Sequence, residues 1–109
     1  MGKAAQRKGR NAEREFSELL NSYGFHTQPG QPLNFGTCAD VTGLPGIHLE
    51  IKRHEKTSLT EWLRQSQTDA DKFHDGIPVV AHRRSRQPWI ISMTVENFIQ
   101  LYKKGFTNE

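Results

Sequence analysis

The 109-residue chain has one cysteine, Cys38, so no intramolecular disulfide can form and a disulfide-stapled scaffold is excluded. Its apolar runs, such as 77–81, are a handful of residues, far short of the ~20 that span a bilayer. The basic N-terminus lacks an apolar core, so no secretory signal is expected, and a reducing, cytoplasmic setting follows. The five histidines (His26, His48, His54, His74 and His82) show no HxxxH spacing and have no CxxC partner. A zinc centre is therefore not expected. No glycine-rich loop matches GxxxxGK[ST], which removes the phosphate-cradling loop of the nucleotide hydrolases. Cys38 has no histidine or acid at a recognisable spacing and reads as a small buried side chain, not a nucleophile.

Charge is present, and it is unevenly placed. The formal net charge is only +3. Residues 1–14 hold five basic side chains and one acid, and 82–88 hold three arginines and no acid. The remaining seven basic and eleven acidic residues make the rest of the chain net −4. Two basic segments on an acidic body suit a polyanionic partner, whereas a membrane surface would call for an apolar face beside them. A solvated basic tail accounts for the first segment equally well.

Periodicity places the elements. Ala12, Phe16, Leu19, Leu20 and Tyr23 recur at helical spacing over 9–23, and Gly24 follows as a stop. A short strand is expected at 25–28, then a Pro/Gly loop over 28–36. Residues 38–53 read as a β-hairpin, with strands 38–43 and 47–53 around a Leu44-Pro45-Gly46 turn. Ser58 and Glu61 have capping-box spacing and open a helix to about His74, with Leu59, Trp62, Leu63, Ser66, Ala70 and Phe73 facing inward. Strands are expected at 77–83 and 89–93, joined by the arginine-bearing loop. Thr94 caps a last helix, 95–104, with Val95, Phe98, Ile99 and Leu101 expected inside. The order α-β-β-β-α-β-β-α predicts one α/β domain over 1–109, a mixed sheet flanked by helices, with 1–8 as a basic arm.

The hairpin carries the chemistry. Period 2 puts Glu50 and Lys52 on one face of the second strand, and antiparallel pairing can bring Asp40 beside them. Two carboxylates and an ammonium on a central strand are costly unless paired or bound to a cation. Oxygen donors of this kind suit Mg²⁺, with Mn²⁺ as a substitute, and a lysine beside such an ion can assist an attacking water. Cross-strand ion pairs on an exposed strand face are the alternative. His48 falls on the Glu50 face and is expected to be solvated.

These residues resemble a known family. The hairpin segments CAD and LEIK, preceded by KGRNAEREF on the first helix, are similar to the PD-(D/E)XK nuclease superfamily, and within it to the archaeal-type Holliday junction resolvases and their phage-encoded relatives. Lys8, Gly9, Ala12, Glu13, Arg14 and Glu15 reproduce the K-G-x-x-A-E-R-E helix start, although Ala39 stands where the family has proline. The resemblance spans roughly 8–93 and implies a restriction-endonuclease-like core. It implies Asp40 and Glu50 as metal ligands, Glu13 as an additional acid, Lys52 as the assistant to the water, and the Ile51 carbonyl as a further ligand. It also implies a glutamine on the following helix, for which Gln65 is the candidate and Gln67 the weaker one. The expected function is Mg²⁺-dependent endonucleolytic cleavage of DNA, selective for branched structure, by a homodimer. Lys8, Arg10, Arg14, Arg53, Arg83, Arg84 and Arg86 are the expected phosphate contacts. The 28–36 loop has no counterpart to the archaeal junction-binding loop. A DNA-binding module without catalysis, and a nuclease subunit of a recombination or packaging complex, are the rival readings.

Overall fold

The computed structural model of the chain describes residues 3–30 and 39–106, with side chains from residue 11 onward. Among the described residues, helix α1 (Lys3–Ser22) is followed by strands β1 (Gln28–Pro29), β2 (Val41–Thr42) and β3 (Ile47–Arg53). Helix α2 (Leu59–Phe73), strands β4 (Ile77–Arg83) and β5 (Ile90–Ser92) and helix α3 (Val95–Phe106) complete the order. The expected α/β class with a mixed sheet is what forms: β1-β2-β3-β4-β5 lie in sequence order, antiparallel except for the parallel β3–β4 pair. That parallel pair requires a crossover, and α2 supplies it. No helix among the described residues is long and apolar enough to cross a membrane.

β3 and β4 are the central strands and are buried on both faces, as their near-continuous apolar sequence suits. Leu49, Ile51, Val79 and Ala81 form one face and pack with Val41, Ala12 and Phe16 of α1. The alternate residues His48, Glu50 and Lys52 lie on the opposite face, toward α2, which buries Trp62, Ser66 and Ala70. Each expected element is found within a few residues, but α1 starts at Lys3, so the segment expected as a basic arm is helical from that residue. Cys38 and the loop residues 31–36 lie outside the described residues, as do the side chains of Lys8 and Arg10.

Two local expectations fail. Ser58 stands at the start of α2 without a side-chain cap hydrogen bond, and Glu61 pairs instead with Arg64 one turn on. The apolar stripe of α3 points outward: Val95, Phe98 and Ile99 are exposed, Leu101 nearly as much, and the buried residue is Asn97. Asn97 faces inward, its Nδ2 donating to Gln67 Oε1 on α2 at 3.2 Å, while its backbone amide is capped by Thr94 Oγ1. A hydrogen-bonded amide can be buried at little cost.

Gly76 permits the α2–β4 connection. Gly76 has φ +139°, and a Cβ there would lie 2.5 Å from the Gly46 carbonyl carbon in the hairpin turn. Gly76→Ala is therefore expected to destabilise the fold by more than ~1 kcal/mol, seen as a lower urea midpoint with unchanged slope.

Candidate active site

Asp40 leaves the strand β2 side of the hairpin with its backbone amide donating to the Leu49 carbonyl at 2.9 Å. Its carboxylate Oδ2 accepts from the Ile51 amide at 2.8 Å. These two bonds anchor the acid to β3 from both directions. Glu50, one residue before Ile51, is 5% exposed, and its neighbours include both Asp40 and Asp69 of α2. Lys52 Nζ donates to Gln65 Oε1 at 2.9 Å. The glutamine picked from the sequence is therefore the one that meets the lysine, whereas Gln67 bonds Asp71 and Asn97 instead. Asp40, Glu50, Lys52 and Gln65 converge on the side of the sheet covered by α2. Glu13 is half-buried on α1, adjacent to Ala12 in the core on the other face of the sheet.

His48 departs most from expectation. It is fully buried, not solvated, because α2 covers the face it shares with Glu50. Its Nε2 lies 2.8 Å from Glu50 Oε1 and its Nδ1 lies 2.7 Å from Asp75 Oδ1. Burial alone would depress the imidazole, but the bonds to Glu50 and Asp75 outweigh it and hold His48 above its ordinary value. Glu50 is pushed up to about 7, first by burial and then by Asp40 and Asp69, against the lowering effect of its bond to His48. Asp69 and Asp75 were missed in the sequence. Asp69 is four residues after Gln65, so a helix-face argument from that residue was the available signal; Asp75 sits in a turn with no periodic cue.

Three carboxylates (Asp40, Glu50 and Asp69) crowd a site in which His48 and Lys52 are both already hydrogen-bonded. His48, Glu50 and Asp69 offer ligand atoms that all lie within 4.8 Å of one another. The two carboxylates suit Mg²⁺ or Mn²⁺, whereas an imidazole donor would favour a transition metal. Asp75 on Nδ1 fixes the histidine orientation from behind, the arrangement that commonly supports a metal-facing imidazole. The strand and a helix, not an HxxxH motif, assemble this group.

The site's protonation has a measurable consequence. Glu50, raised above 4.5, holds a proton in the native state that the unfolded chain has released. His48 is raised in the same direction. Both contribute stability that is present at low pH and is lost as pH rises through their native values. With a chelator present, stability is expected to fall between about pH 5 and pH 8, by on the order of 1–3 kcal/mol. The Glu50→Gln variant is expected to lose most of that slope, read by urea denaturation at each pH.

The basic segments are less open than the sequence suggests. Arg83 Nε lies 3.0 Å from Glu15 Oε1, and its guanidinium sits 5.7 Å from the Trp89 ring centre. Glu55 accepts from the Ser85 amide and hydroxyl at 3.0 Å, so an acid anchors the loop from thirty residues away. The local charge count saw neither acid. Arg84 and Arg86 remain exposed at the loop tip, Arg14 is exposed on α1, and Arg53 is half-buried in register with Arg83. Trp62 is buried as expected, between His54 and His82. Trp89 packs on Phe16 at 4.9 Å.

Neither protein-family models nor curated proteins give a match to this sequence.

Proposed function

We propose that the chain is a divalent-metal-dependent endonuclease that hydrolyses DNA phosphodiesters, built on a PD-(D/E)XK-like core. The observation that carries this reading is the convergence of Asp40, Glu50 and Lys52, with Gln65 on the lysine, from three separate elements. An exposed strand face with ion pairs would leave these groups in solvent; here Glu50 is buried among acids, an arrangement that burial makes costly without a cation.

Asp40 and Glu50 would hold Mg²⁺ or Mn²⁺, with Asp69 and His48 beside them; Glu13, the further acid implied by the helix start, sits on α1 against the other face of the sheet. When bound, the ion supplies charge stabilisation at the scissile phosphate. The protein's own residues do the rest. The Asp40 carboxylate keeps one oxygen on the Ile51 amide and is also hydrogen-bonded to Glu50, which ties the two proposed ligands together. Gln65 holds the Lys52 ammonium by its carbonyl oxygen, which orients the amine that receives or releases the proton of the attacking water. Arg84, Arg86 and Arg14 contact the phosphate backbone in this reading, with Lys8, Arg10 and Arg53 alongside them and Arg83 held inside the fold. Such contacts position DNA without reading its sequence, so selectivity rests on DNA shape.

Incubating the protein with labelled four-way junction, flap, duplex and single-stranded DNA, with Mg²⁺ or chelator, tests the reading. Mg²⁺-dependent cuts favouring a branched substrate are expected. Salt-dependent binding without any cleavage would assign the chain to a DNA-binding module instead.

A further inference from the structure

The face of β3 under α2 gathers one imidazole and two carboxylates from two different elements. His48 and Glu50 are buried on the strand, and Asp69 is half-buried on the helix. One ligand atom from each lies within 4.8 Å of the other two, close enough for a single ion to reach all three. The ring is held in place, because Asp75 Oδ1 lies 2.7 Å from Nδ1 and leaves Nε2 on the Glu50 side. A neutral imidazole ligates through the nitrogen without a hydrogen, and a carboxylate on Nδ1 keeps the hydrogen at that end. The partner of Nε2, Glu50, is itself one of the three donors.

A second observation points the same way. Ser66 is fully buried on α2, one turn before Asp69, and among the described residues its Oγ has no hydrogen-bond partner. Residues three apart neighbour each other on a helix surface, so this hydroxyl and the Asp69 carboxylate share a side of α2. Buried hydroxyls are ordinarily satisfied, and an orphan beside a polar cluster calls for a bound water or ion. An ion held by three protein ligands keeps a coordination position for water, and such a water would supply Ser66 with its partner.

The donors select the class of ion. Mg²⁺ takes oxygen ligands and sheds its water reluctantly, so an imidazole offers it little. First-row transition ions gain from nitrogen, and Zn²⁺ is commonly held by His together with Asp or Glu. We propose that His48 Nε2, Glu50 and Asp69 form a transition-metal site matched to Zn²⁺, with Asp75 as the residue that orients the imidazole. On the nuclease reading, Glu50 is common to this site and to the Mg²⁺ position with Asp40, so the two ions compete for one carboxylate. The site itself does not depend on that reading. Ion binding is a property of the chain without DNA, so cleavage can fail while this site stands, and the reverse.

Calorimetric titration of the metal-stripped full chain with Zn²⁺ and with Mg²⁺ tests it, alongside NMR of the imidazole nitrogens. One Zn²⁺ per chain is expected to bind, at least about tenfold more tightly than Mg²⁺, and to move the His48 Nε2 resonance. Asp75→Ala is expected to weaken Zn²⁺ binding about 10–100-fold, the usual cost of losing the partner behind a ligating histidine. Asp69→Asn keeps the size of a half-buried side chain and is expected to weaken binding at least as much, with an unchanged circular dichroism spectrum. Zn²⁺ that binds no more tightly than Mg²⁺ overturns the proposal. So does native Zn²⁺ affinity in Asp69→Asn or in Asp75→Ala, or a His48 Nε2 resonance that Zn²⁺ leaves in place, since each would put the ion on other side chains.

Discussion

Replacing His48 with alanine is expected to cost about 3–5 kcal/mol, a large part of the 5–15 kcal/mol by which a domain is stable. The imidazole is fully buried and bridges Glu50 and Asp75 with bonds of 2.8 and 2.7 Å. Removing it leaves a buried carboxylate among two others with no opposing charge, in addition to a cavity. The cause can be separated from simple loss of volume. Glu50→Gln in the His48→Ala background removes the uncompensated charge and is expected to recover part of the loss in urea denaturation. If the double variant is no more stable than His48→Ala alone, packing, and not charge, is what His48 contributes.

Substitution of Asp40 or Lys52 is expected to act on activity and to spare the fold. Asn at position 40 keeps an oxygen for the Ile51 amide, so the hairpin closes as before, but it removes the negative charge from the ion site. Cleavage is expected to drop to background while DNA binding persists. Lys52→Ala removes the amine that Gln65 orients, and an effect of about 10²–10⁴ on the cleavage rate is expected for the loss of a positioned proton-transfer group. Gln65→Ala is expected to fall between native and Lys52→Ala, because the ammonium remains but loses its 2.9 Å partner. Equal thermal midpoints across these variants would assign the losses to chemistry.

Much of the fold was legible because the central strands announce themselves. Alternation in 47–53 and the apolar run from 77 gave β3 and β4 with the bounds they have, while α2 ends two residues before Gly76, at His74, which takes the left-handed cap position with φ 52°. The candidate site was legible where chemistry is encoded by strand period, as with Glu50 and Lys52, whereas Gln65 came from the family resemblance. Groups that depend on tertiary placement were not. Asp69 and Asp75 approach His48 and Glu50 only because α2 folds back over β3, and Glu15 and Glu55 reach the arginine loop across the sheet. In α3 the period was correct and the side was wrong. Hydrophobicity alone chooses the apolar face as interior, whereas the helix turns Asn97 onto Gln67 and leaves the apolar face outward. That reversal also explains why a chain with a modest apolar share still shows so much of it at the surface.

The most direct test is single-turnover cleavage of end-labelled four-way junction DNA by the native chain and by Asp40→Asn, at saturating protein, in Mg²⁺ or chelator. The account predicts cuts by the native chain in Mg²⁺ alone, and none by Asp40→Asn in either condition. Cleavage that survives the chelator, or that Asp40→Asn retains at the native rate, would contradict it.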